Sequence, residues 1–81
     1  MEKLSPEQQL IAKYASVIGD EFSEKALSAI LPSMMKPHLI KSLEKLGEDG
    51  IIYCSEQDPI VTYRFHNQLI RYTVYAIIPP R

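Results

Sequence analysis

Apolar residues recur every three or four positions through the first half of the chain, and after Gly50 this spacing gives way to short β-branched and aromatic runs. Leu10, Ile11, Tyr14, Val17 and Ile18 fall on one side of a first helix, with Gln9, Lys13 and Ser16 opposite. Its start is marked by Ser5 as N-cap, Pro6 at the first helical position and Gln8 completing a capping box. Gly19 supplies the stop. Phe22 precedes Ser23, a second N-cap, and Ala26, Leu27, Ile30 and Leu31 give a short second helix that Pro32 ends. Pro37 is expected to open a third helix. Leu39, Ile40, Leu43 and Leu46 form its apolar face, and Lys36, Lys41, Glu44 and Lys45 its solvent face.

Ile51-Ile52-Tyr53-Cys54 and Ile60–Phe65 then read as strands around the turn residues Ser55–Pro59, which makes a β-hairpin. Asn67 caps a last helix that runs to about Ile78, before Pro79-Pro80. Three helices, a hairpin and a closing helix make an α+β chain in the winged-helix arrangement, a helix-turn-helix core with a β-wing. Residues 1–81 are expected to form a single domain of this kind. A chain so short buries only about 60% of its unfolded surface.

The last helix departs from an ordinary amphipathic pattern. Leu69, Ile70, Thr73, Val74, Ala76 and Ile77 make one broad apolar arc, yet the opposite arc holds Tyr72, Tyr75 and Ile78 beside Asn67, Gln68 and Arg71. A helix apolar most of the way round is normally covered on both sides, and a domain this small covers one. Aromatics beside an Arg are also favoured at protein interfaces. The other reading is that Tyr72 and Tyr75 shield the core with their hydroxyls in water.

Charge bears on the partner. Lys and Arg number 9, Asp and Glu 10, for a formal charge of −1, whereas nucleic-acid modules draw most of their affinity from a basic excess. The third helix offers Lys36, His38, Lys41, Ser42 and Lys45, with no Arg, Asn or Gln for bidentate base reading. The hairpin loop Ser55-Glu56-Gln57-Asp58 is acidic where a wing would meet phosphate. A solvated lysine face is the plainer reading.

Cys54 is the only cysteine, which rules out an intrachain disulfide and a multi-thiolate zinc site within these residues. His38 and His66, the only histidines, belong to no recognisable nucleophile–base spacing. Asp20, Glu21 and Glu24 cluster where acidic groups complement a helix dipole. Gly19, Gly47 and Gly50 form no phosphate-cradling loop. No enzyme activity, cofactor or metal is expected of these residues. No secretory segment follows Met1-Glu2-Lys3 and no apolar run reaches the roughly 18 residues of a membrane span, so a cytoplasmic setting is expected.

Three segments resemble a known family. KLSPEQQLIAKYASVIG with Phe22, then Leu39-Ile40, Leu43 and Leu46 with Gly50-Ile51-Ile52, then Tyr63-Arg64-Phe65, Leu69-Ile70 and Tyr75 are similar to the winged-helix segment that follows the ATPase module in STAND signalling ATPases. The opening words look most like the regulatory region of the soluble adenylyl cyclases within that family. The resemblance covers nearly the whole chain. It implies a non-catalytic piece of a larger multidomain protein, whose parent makes cAMP. Its role would be to couple a nucleotide-binding module to downstream helical repeats, with Arg71, Tyr72, Tyr75 and Ile78 meeting other domains of that parent or another protein.

The family's closing pattern, Y-x-F-x-H-x-x-I-x-x-x-x-Y, places Asn67 where its histidine stands and His66 one place earlier. In some relatives a histidine at this joint reads the phosphate of bound ADP. By position the sensor would be Asn67, by chemistry His66, and an ordinary N-cap role for Asn67 needs nothing beyond this chain. The rival to the whole reading is a free-standing DNA binder acting through Lys36, Lys41 and Lys45.

Overall fold

The computed structural model describes residues 5–77. Residues 1–4 and 78–81 lie outside the described residues, as does the side chain of Ile77. The start of the chain, Ile78 of the expected interface and the Pro79-Pro80 stop all fall there. Helix α1 spans Pro6–Ile18, strand β1 Glu21–Ser23, helix α2 Glu24–Ile30 and helix α3 Leu39–Glu48. Strands β2, Ile52–Glu56, and β3, Thr62–Phe65, are followed by helix α4, Gln68–Ile77. Helices and an antiparallel sheet thus share one α+β unit.

The expected caps form. Ser5 Oγ accepts from the Gln8 amide at 3.2 Å while Gln8 Oε1 accepts from the Ser5 amide at 3.0 Å, a reciprocal capping box. Ser23 Oγ accepts from the Ala26 amide at 2.9 Å at the start of α2.

Strand β1 has no counterpart in the sequence reading, because three residues, Glu21-Phe22-Ser23, are too few to show a period of two. It pairs antiparallel with β3 in the register Phe22↔Tyr63, and β2 pairs with β3 on the other side as Ile52↔Phe65. The sheet order is β1-β3-β2. Phe22 joins the layers: its ring stacks on Tyr63 at 5.9 Å and meets Phe65 at 5.6 Å. Burial there, followed by electrostatic repulsion from Glu24, Cys54 and Glu44, raises the pKa of the Tyr63 hydroxyl above its ordinary 10.0.

The third helix starts later than expected. Ser33–His38 is a 3₁₀ segment with Pro37 inside it, and α-helical geometry begins at Leu39. Pro37 has no amide to give and disfavours α geometry at Lys36, so tighter turns persist to His38. Lys36 therefore lies off the third helix.

Two buried faces, those of α1 and α4, are also rotated from the expected ones, and that of α3 keeps its expected set except for Ile40. In α1 the buried set is Ile11, Ala12, Ala15 and Ser16, while Val17 is exposed. α3 and α4 both pack on α1, and small residues allow that close approach. The Ser16 hydroxyl enters the core satisfied, donating to the Lys13 carbonyl at 2.7 Å. In α3, Leu39, Leu43 and Leu46 are buried and Ile40 faces out. In α4, Val74 is buried and Ile70 half-buried, whereas Leu69, Thr73 and Ala76, placed in the apolar arc, are exposed. Ile30 of α2 is exposed too, beyond the reach of the core that holds Leu27 and Leu31.

Candidate interaction surface

The strand-to-helix joint is built by the backbone first. The Phe65 amide donates to the Asp20 carbonyl at 3.0 Å and the His66 amide to the Ile51 carbonyl at 3.1 Å, which fixes the exit of β3 between the ends of α1 and α3. Asn67 Oδ1 then accepts from the Ile70 amide at 2.8 Å, the geometry of an N-cap. The His66 ring lies 5.0 Å from Tyr53, tilted by 57°. His66 and Asn67 line a shallow hollow of about 120 Å³ with Asp20, Tyr53 and Arg64. Sites for ordinary small-molecule ligands are larger, roughly 300–1,000 Å³.

Asn67→Ala is accordingly expected to lower stability by about 0.5–2 kcal/mol, and Asn67→Ser, which keeps an acceptor, by less. Urea midpoints of the three chains check this.

The carboxylates Asp20 and Glu21, read from sequence as complements to a helix dipole, are paired instead. Asp20 Oδ1 stands 3.1 Å from Arg71 Nη1, and Glu21 Oε1 3.7 Å from Arg64 Nη1. Glu24 alone of the three sits in the first turn of α2.

Helix α4 covers α1 with one side and turns the other outward. Leu69 is 72% exposed, Tyr72 69% and Tyr75 50%, and Val17 of α1, 58% exposed, shares a groove with the two tyrosines. Ser16, Val17, Gln68, Arg71, Tyr72 and Tyr75 line an open groove of about 510 Å³. The members differ in freedom. Arg71 is engaged within the fold, its Nε donating to the Ser16 carbonyl at 2.9 Å and its Nη1 to Asp20. Tyr75 is backed by Lys13, whose Nζ lies 4.0 Å from the ring centroid and donates to the Tyr75 carbonyl at 2.7 Å. Tyr72 lines the groove and is largely exposed, and Leu69, three residues earlier on α4, is exposed too.

Sequence reasoning placed Arg71, Tyr72 and Tyr75 here and missed Val17, Leu69 and Lys13. The signal for Val17 is the run of small residues Ala12, Ala15 and Ser16. That run marks the side where helices approach and leaves Val17 outside it.

The lysines of the rival reading do not form a continuous basic face. Lys36 sits in the 3₁₀ segment, and Lys41 and Lys45 share the outer side of α3 with Glu44 and Glu48. Lys45 Nζ is 4.0 Å from Glu48 Oε1. His38 lies 3.6 Å from Glu7 of α1. Among the described residues no three of His, Cys, Asp and Glu gather as a metal site, and no helix is long and apolar enough to cross a membrane.

No family model, curated protein or solved structure matches this chain. The STAND resemblance rests on the chain's own motifs.

Proposed function

We propose that this chain is a winged-helix interaction and relay module of a soluble-adenylyl-cyclase-like STAND protein. In this reading it works in the cytoplasm and without catalysis of its own, coupling a nucleotide-binding module to helical repeats. The winged-helix reading is supported by the sheet order β1-β3-β2, with β1 between α1 and α2 and the β2–β3 hairpin after α3. The observation that carries the interaction reading is the outward face of α4, where Leu69, Tyr72 and Tyr75 are exposed and the two tyrosines line a groove with Val17. Isolated exposed apolar residues are ordinary, and several on one helix favour a contact surface.

DNA binding is the rival, and the alternation of Lys41, Glu44, Lys45 and Glu48 on α3 argues against it. Fluorescence anisotropy with a random duplex separates the two. At about 0.15 M salt the chain is expected to bind more weakly than roughly 100 µM, the weak end of non-specific DNA affinity. Micromolar affinity that falls steeply with salt, and is lost in Lys41→Glu/Lys45→Glu, would overturn the interaction reading.

A further inference from the structure

The helices are held to the body by different means. α1 and α3 enter the core through Ile11, Ala12, Ala15, Leu39, Leu43 and Leu46. Among the described side chains of α4, Val74 is buried and Ile70 partly so, and charged side chains make two further joins to the body. Two clamps stand near its two ends, because α4 runs antiparallel along α1. Near the start, Arg71 donates from Nε to the Ser16 carbonyl at 2.9 Å and from Nη1 to Asp20 at 3.1 Å. Near the end, Lys13 Nζ reaches the Tyr75 carbonyl at 2.7 Å and lies over its ring. The body beneath has its own core without α4, in Phe22, Leu27, Leu43, Leu46, Ile52 and Phe65.

We propose that α4 is a releasable strap: a helix latched to α1 by Arg71 and Lys13 that leaves it while α1, α2, α3 and the sheet stay folded. Segments with few buried apolar contacts are the ones that open at low free energy. Charged contacts at a partly exposed surface weaken as salt screens them, whereas apolar burial does not. Release is therefore set by ionic conditions and by any group that competes for Arg71 or Asp20. The Val74 side of α4 then becomes available together with Tyr72 and Tyr75. This is a property of the chain by itself and does not depend on the relay reading.

Native-state hydrogen exchange on the full 81-residue chain tests it, comparing amides of α4 with those of α1 and α3. Raising salt from about 0.02 M to 0.5 M is expected to speed exchange in α4 by about threefold and to leave α1 and α3 unchanged. Arg71→Met keeps the apolar stem and removes both hydrogen bonds. It is expected to speed α4 exchange about tenfold and to flatten most of its salt response. Should Arg71→Met fail to fold, the wild-type salt series and Asp20→Asn, which keeps the shape and the Arg71–Ser16 bond, decide the matter. Exchange of α4 in step with α1 and α3 under all conditions, or α4 protection indifferent to salt, would overturn the proposal.

Discussion

Replacing Phe22 with alanine is expected to lower stability by about 3–5 kcal/mol, enough to unfold much of the population of a domain this small. Phe22 is almost fully buried, and one ring touches Tyr63 and Phe65 of the central strand while its backbone pairs β1 with β3. Truncation therefore opens a cavity and frees the edge strand in one step. Phe22→Leu keeps most of the volume and is expected to cost about 1.5 kcal/mol or less. Urea unfolding followed by far-ultraviolet circular dichroism gives both values. A loss under about 1 kcal/mol for the alanine variant would mean that β1 is not clamped by this ring.

Two glycines are expected to respond to the same substitution with opposite signs. Gly19 ends α1 with φ 154° and ψ −169°, a region open to glycine and costly to any other residue. An added Cβ would meet the Glu21 carbonyl oxygen only at 3.7 Å, so the expense is backbone strain and not a clash. Gly19→Ala is expected to lower stability by about 1–3 kcal/mol. It also tilts Asp20, which receives both the Phe65 amide and Arg71, so the α4 clamp loosens with it. Gly47, inside α3, has ordinary φ and an open Cβ position whose nearest atom is the Ile52 carbonyl oxygen at 3.9 Å. Gly47→Ala is expected to raise stability by about 0.4–1 kcal/mol, through helix propensity and a less free unfolded chain. Thermal melts of both variants under one buffer check the signs.

The caps and the apolar positions of α3 were legible because they depend on residues close in sequence. Ser5 with Gln8, Ser23, Asn67 and the Leu39–Leu43–Leu46 set act within a turn or two of themselves. What the pattern could not carry depends on neighbours distant in the chain. β1 exists because β3 offers it partners some forty residues on, and Ser16 is buried because α4 lies over it. The exposed face of α4 was half legible. Its excess of apolar residues was plain, but which of them the body covers is set by the rotation of α4 on α1. That rotation turned Leu69 outward and drew Arg71 into contact with Ser16 and Asp20. The His66–Asn67 joint was legible as a cap, since an Asn side chain needs only the amide three residues on.

In the proposed reading the working surface is the outer face of α4 and not the lysines of α3, and one crosslinking comparison tests that claim directly. A photoreactive phenylalanine analogue is placed at Tyr72 in one protein and at Lys41 in another, each within the polypeptide as cells make it. The expected result is discrete polypeptide adducts from position 72, whether to another domain of the same chain or to a second protein, and none from position 41. Nucleic-acid adducts from position 41, or a position 72 that gives no adduct, would contradict it.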